Sequence, residues 1–182
     1  MTSSPVSPPT GCGRNWKHFQ RLTEGLCDTA PASVYLPSFE TAARSLKVVL
    51  TTAPVHSDVE IETAIIALGR EPGGGLVVMP DAFTITHRAP IIFAAARSNV
   101  PAVYGLSESA RDGGLLSYGP DRVDIFHRAA TYVDRILRDE KPGDLPVQLP
   151  TKFEMVVNRK AATALGLAIP PSILLRADQV IE

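Results

Sequence analysis

Asp81 follows the apolar run Leu76–Met79 almost directly, in the string VVMPD. A carboxylate at the end of a buried strand can accept from an amine or hydroxyl ligand, and it can equally cap a following helix; the sequence leaves both roles open. Tyr104 and Tyr118 close two further apolar runs, where a ring can stack on or hydrogen-bond a ligand, or pack under a loop. Chemistry beyond binding finds little support. There is no G-x-S-x-G elbow, and the nearest string, YGLSESA, puts its serines on an exposed polar turn. The glycines of EPGGGLVV precede a strand instead of following one and no Lys-Ser or Lys-Thr comes after them, so they read as a turn and not as a phosphate cradle. Of His18, His56, His87 and His127, the last two sit in His-Arg pairs on predicted helices with no second ligand three or four residues away, and Cys12 and Cys27 have no metal-ligand neighbours at a recognised spacing. No catalytic residue, no metal site and no cofactor is assigned.

The elements that would position these residues alternate. Residues 1–14, rich in Ser, Pro, Thr and Gly, read as a disordered tail, and Trp16–Leu26 as a short helix broken by CDTAPAS. Pro37–Ser45 then suits a helix and Leu46–Thr52 a buried strand. Asp58 caps a helix that presents Ile61, Ala64, Ile65 and Leu68 and breaks at Pro72. Leu76–Met79 is a strand, Thr86–Ser98 a helix with Pro90 in its first turn, Val100–Tyr104 a strand, Ser107–Arg111 a short helix and Leu115–Tyr118 a strand.

Asp121 caps the strongest helix, whose stripe is Ile125, Phe126, Ala129, Ala130, Val133, Ile136 and Leu137. After it come two extended pieces around Pro150, a helix from Asn158 or Arg159 to Gly166, and a last helix from Pro170-Pro171 to the end. Only Phe153–Val157 in that tail is suited to a sheet.

This alternation predicts an α/β fold with a parallel, Rossmann-like sheet and helices on both faces. Ligands of such sheets collect beyond the carboxyl ends of the strands, here Thr52–Pro54, Pro80–Asp81, Tyr104–Gly105 and Ser117–Gly119. Composition agrees with a globular chain: 45% apolar and 20% charged residues, and a net charge of −1 that gives nucleic acid or anionic lipid nothing to attract. No run approaches the roughly eighteen apolar residues of a membrane span. The first residues, MTSSPVSPPTGCGRNWK, lack the basic start and apolar core of a secretory signal, which by itself points to the cytoplasm.

The strings VVMPDAFTITHR, VPAVYG, GGLLSYGPDRVDIFHRAATYVDRIL and DLPVQLPTKFEMVVNRKAATALGLAIPPSILLRADQVIE occur in that order. Together they resemble the carboxyl half of the substrate-binding proteins of ABC transporters, in the tryptophan/tyrosine-type subfamily. The likeness runs from about Ala32 to the C-terminus. It implies a type I periplasmic binding protein: two α/β lobes joined by a hinge, closing on a small molecule without catalysis, with an ABC transporter permease as partner and the periplasm as location.

On that plan residues 1–30 do not match, 31–120 form the second lobe, and 121–182, including KFEMVVN, return to an otherwise missing first lobe. The implied ligand-binding residues are Asp81, Thr84, Tyr104, Ser117 and Tyr118, and the hinge is Gly119 and Pro120. Family members are nearly twice this length. The plan also expects a mid-sheet strand before APASVYLPSFETAARSL, and the sequence shows none there. A chain holding one lobe is expected to bind amino acids weakly or not at all. Without the export signal, the same chain also suits a cytoplasmic α/β sensing or interaction domain.

Overall fold

Apolar runs set between turn residues become strands, and among the described residues seven strands, one of them the polar RLTE, share one sheet. The computed structural model describes residues 21–24, 30–70 and 73–182, with side chains from residue 36 onward. The strands are β1 (Arg21–Glu24), β2 (Val49–Thr52), β3 (Gly74–Val78), β4 (Ala102–Tyr104), β5 (Leu116–Pro120), β6 (Phe153–Asn158) and β7 (Gln179–Ile181). Their order is β2-β1-β3-β4-β5-β6-β7, and every pairing is parallel except β5 with β6. The helices are α1 (Ala30–Leu46), α2 (Asp58–Gly69), α3 (Ala82–Thr86), α4 (Arg88–Arg97), α5 (Ser107–Arg111), α6 (Arg122–Leu137), α7 (Arg159–Ala164) and α8 (Pro171–Leu174).

Each face of the sheet carries its own core. Ile61 and Ile65 of α2 and Ile91, Ile92 and Ala95 of α4 pack with Leu76, Val78, Ala102 and Tyr104. Val103, which alternation turns the other way, packs instead with Leu116, Val157, Ala162 and Leu167. Burying an isoleucine as completely as Ile61 or Ile91 contributes about 1.5–3 kcal/mol. The predicted α/β class and the helices at Asp58, Ser107, Asp121 and Asn158 are all present, but the cap of α2 is Ser57, whose Oγ accepts from the Glu60 N–H at 3.3 Å, and Asp58 is its first helical residue.

The departures have local causes. Pro37 lies inside α1, not at its start, because the helix begins seven residues earlier. The strand after it is shorter than Leu46–Thr52, since Leu46 ends α1 and Lys47 turns with φ 57°. The expected Thr86–Ser98 helix is α4, and an unexpected short helix precedes it: the capping box of Asp81 and Thr84 opens α3, and His87, at φ −95° and ψ 22°, separates it from α4. Pro90 stands in the first turn of α4 as expected.

The strand thought to be absent from mid-sheet is β1, which pairs with β2 on one side and β3 on the other. It falls within the Trp16–Leu26 helix pattern, and backbone pairing on both edges overrides that short local signal. Residues 1–20 and 25–29, with Cys12, His18 and Cys27, lie outside the described residues, as does Pro72.

The tail also differs from its expected placement. KFEMVVN does not leave for another lobe: β6 hydrogen-bonds to β5 along five register pairs, from Leu116↔Val157 to Pro120↔Phe153. The last helix stops at Leu174, and β7 follows it onto the edge of β6. What does leave the sheet is the stretch between β5 and β6. There α6 buries no residue; it meets the strap of residues 141–150 behind it, with the Tyr132 hydroxyl donating to Pro146 O at 2.5 Å, and touches α5 through Arg122. Among the described residues no helix is long and apolar enough to cross a membrane.

Candidate functional site

The carboxyl ends of β3, β4 and β5 lie side by side, and their backbones pack closely. A Cβ on Gly105 would sit 2.8 Å from Pro80 Cδ, and one on Gly119 would sit 1.9 Å from the Gly105 carbonyl oxygen. Glycine is required at 119 by that approach, so β5 and the loop after β4 touch through bare backbone; Gly119 and Pro120, expected after the strand, lie within β5 and pair with Glu154 and Phe153. Gly113, at φ 114°, supplies the turn that brings the chain into β5.

Of the two roles that the sequence left open, Asp81 fills the cap. Its Oδ1 accepts from the Thr84 N–H at 2.7 Å, capping α3, while its Oδ2 is buried and has no hydrogen-bond partner among the described residues. The residue is only 8% exposed. A carboxylate oxygen held in this state is open to a donor from outside the chain, because a buried acceptor left unpaired costs about 1–3 kcal/mol. Thr84 serves the loop: its Oγ1 donates to Met79 O at 2.6 Å and accepts from the Asp81 N–H at 3.1 Å.

Tyr104 is a core ring. It abuts Gly114, where an added Cβ would meet Tyr104 Cε2 at 2.6 Å, and burial pushes its hydroxyl well above the usual tyrosine range. Ser117 stands opposite it in the register, fully buried, with its hydroxyl unpaired among the described residues. Only about 10 Å³ of space is left among Thr84, Tyr104 and Ser109, barely room for one water, so a ligand would rest above these side chains. The serines of YGLSESA are buried as well, which corrects the exposed polar turn expected for them: Ser107 and Ser109 face inward on α5, and Ser107 Oγ accepts from Arg111 Nη1 at 3.1 Å.

Tyr118 is different, half exposed on a part of β5 that outruns its parallel neighbour. β4 ends at Tyr104, opposite Ser117, while β5 continues through Pro120, paired there with β6 and packed at Gly119 against the Gly105 backbone. On this two-stranded ribbon Tyr118 stacks on Phe153, with centroids 5.8 Å apart and planes at 20°. The sequence reading missed Phe153. Its signal was the apolar position at the start of the one tail strand that was recognised.

An ion pair closes the base of the ribbon. Lys152 Nζ lies 2.7 Å from Asp121 Oδ2, and the Asp121 N–H donates to Lys152 O at 3.0 Å. The Lys152 hydrogen bond holds the Asp121 carboxyl below the ordinary range and raises Lys152 in turn. Beside it Arg122 Nη1 donates to Glu108 Oε1 at 2.9 Å, tying α6 to α5. Among the described residues no group of three or more His, Cys, Asp or Glu could hold a metal.

Comparison with known proteins gives this arrangement its relatives. A sequence profile for "ABC transporter substrate binding protein" matches residues 31–181. No curated protein matches the chain. Among solved structures, a conserved domain protein from Vibrio cholerae O1 biovar El Tor is 23% identical with a TM-score of 0.79, over 88% of this chain and 54% of its own. An ABC domain from Streptococcus pneumonia, in complex with L-Trp, is also 23% identical with a TM-score of 0.79, over 89% of this chain and 56% of its own. A ligand-free, open substrate binding protein with adhesive properties from Clostridium difficile is 16% identical with a TM-score of 0.64, over 89% of this chain and 54% of its own.

At these identities the structures establish a shared periplasmic-binding-protein-like α/β fold, and the chain spans little more than half the length of each. With the profile matched from residue 31 to residue 181, the chain belongs to the ABC transporter substrate binding protein family.

Proposed function

We propose that this chain forms a ligand-receiving lobe of the solute-binding component of an ABC-type importer, for an amino acid or similar small molecule. The observation that carries the reading is the buried, unpaired Oδ2 of Asp81 at the carboxyl edge of the sheet. An ammonium or hydroxyl donor there would satisfy it. Asp81 and Tyr118 touch the ligand; Thr84 fixes Asp81, and Tyr104 and Ser117 form the floor. The relative that carries L-Trp supports an amino acid. A permease as partner and a location outside the cytoplasm follow from family membership.

Gly119 and Pro120 act as the hinge, and α6 with its strap belongs to the surface of a second lobe. Its apolar residues Phe126, Val133 and Leu137 are exposed here, and the related structures extend well beyond the length matched. With one lobe present, binding is weak.

The test is a nuclear magnetic resonance titration of the isotope-labelled 182-residue chain with amino acids at millimolar concentration. Shifts should concentrate at residues 81–84, 105–106 and 117–119, and Asp81→Asn, which can still cap α3, should weaken the binding about tenfold, the scale of a charge-assisted hydrogen bond. No amino acid shifting those residues would sink the proposal.

A further inference from the structure

The amino end of the sheet holds a cavity of about 350 Å³ between α4 and α7. The path of the chain creates it. β6 runs antiparallel to β5, so Asn158 at its carboxyl end rests beside Leu115, and α7 starts there. α4 ends nearby, where the Val100 N–H donates to Ala95 O at 2.9 Å. The helices line the gap with Ala95, Ala96, Ala161 and Ala164, and such short side chains leave it open. Ile92 and Leu165 add larger apolar walls. Polar groups in the wall are turned to partners within the chain. Asn158 Nδ2 donates to Ala110 O and its Oδ1 accepts from the Ala161 N–H, both at 3.0 Å, while the Gly114 N–H donates to Ser109 O at 2.8 Å.

Lys160 lines the cavity and is exposed, so it stands at the mouth. Arg97, Arg111 and Arg159 are paired with Glu62, Glu154 and Glu182, whereas Lys160 has no carboxylate partner among the described residues. Among the described residues no Asp or Glu lines the space.

We infer that this cavity is a second binding site, which takes a small apolar carboxylic acid with its hydrocarbon part between α4 and α7 and its carboxylate on Lys160. The volume lies in the range of small-molecule sites, roughly 300–1,000 Å³. Apolar walls whose hydrogen bonds are already made give water little to hold and favour hydrocarbon. An ammonium at the rim, with no acid beside it, favours an anion over a cation. The site is separate from the one proposed at Asp81, which lies beyond the opposite ends of the strands. Among the described residues only Tyr104 lines both this cavity and the narrow space beneath Thr84.

The probes are octanoate, its neutral analogue octan-1-ol and its cationic analogue octylamine. Each is titrated at millimolar concentration into the isotope-labelled full chain and read by nuclear magnetic resonance. Octanoate should shift residues 92–96, 100–102, 113–115 and 160–165 and bind most tightly, with octylamine weakest. Lys160→Met should weaken octanoate about three- to fivefold, the scale of one partly exposed ion pair, and leave octan-1-ol within about twofold. Lys160→Arg should keep octanoate near the original affinity. Ala96→Leu puts a larger side chain into the space and should weaken octanoate and octan-1-ol alike, by about fivefold. Ala96 and Lys160 are exposed, so all three variants should melt close to the parent in circular dichroism, which separates a lost site from a lost fold.

Octanoate shifts confined to other residues, or none at all, would overturn the site. Equal affinity for the three probes, or an octanoate affinity unchanged by Lys160→Met, would overturn the carboxylic acid as its ligand. Neither result touches the amino acid reading, which is tested at residues 81–84.

Discussion

Helices α2 and α6 make opposite use of apolar residues. The sequence gives α6 the broader and more regular stripe, yet α2 buries Ile61 and Ile65 to 1% exposure or less, while Phe126, Val133 and Leu137 of α6 are 67%, 55% and 78% exposed. The difference follows from connection. α2 is the crossover between parallel strands β2 and β3, so it must return along the sheet and land on it. α6 joins antiparallel β5 and β6, a link that requires no crossover, and the chain is free to leave the sheet and come back. A stripe therefore announces that a helix has a partner face, and topology decides whether the partner is in the same sheet.

The largest expected effect tests that contrast directly. Ile61→Ala or Ile65→Ala should destabilise the chain by about 2–5 kcal/mol in urea unfolding, whereas Phe126→Ala or Val133→Ala should stay within about 0.5 kcal/mol. A cost at Phe126 as large as that at Ile61 would show the arm to be packed in solution, and the comparison would fall.

Two glycines sharpen it next. At Gly119 a methyl would meet the Gly105 carbonyl oxygen at 1.9 Å, and at Gly143, in the strap behind α6, it would meet nothing within 4 Å. Gly119→Ala should cost about 1–3 kcal/mol through backbone displacement, and Gly143→Ala should be within about 0.5 kcal/mol. Comparable midpoints for the two variants would mean that the end of β5 yields as freely as the strap.

The same division explains what could be read from the sequence. The α/β order, the caps at Asp121 and Asn158 and the buried faces of α2 and α4 were legible because period, capping residue and turn residue agree locally. Strands β1 and β7 were not, since RLTE and QVI are too short to show a period and are specified by the strands beside them. Asp81 was legible as a candidate because it follows an apolar strand directly. That its two oxygens divide between a cap and an open position is a matter of side-chain geometry, as is the pairing of Tyr118 with Phe153 from a strand 35 residues away in sequence.

A smaller effect separates those two roles of Asp81. Asp81→Ala removes the cap and should cost about 1 kcal/mol of stability, while Asp81→Asn should retain most of it. If both variants melt alike and below the parent, the charge itself stabilises the loop, and the open oxygen is a structural group and not a receptor.

The smallest expected effect lies at the junction of the two regions, where Lys152 meets Asp121. The hydrogen bond from Lys152 depresses the Asp121 carboxyl, so its stabilisation is present above the unfolded aspartate value of about 3.9 and is lost as pH falls through the lower folded value. Lys152 is raised by the same contact, so its share is present below the unfolded lysine value of about 10.4 and is lost as pH rises through the higher folded one.

The stability difference between the parent chain and Lys152→Met should therefore be a plateau across neutral pH that falls away at both ends. It should shrink in 1 M salt, where the screening length is about 3 Å. Measured by urea unfolding from about pH 2 to 11, a difference that keeps its size below pH 3 would mean that Lys152 holds the ribbon through its aliphatic stem, not through the charge of Asp121. A plateau with both shoulders would make this pair an electrostatic clasp between the two ends of the stretch that leaves the sheet, beside the Arg122–Glu108 contact of α6 with α5.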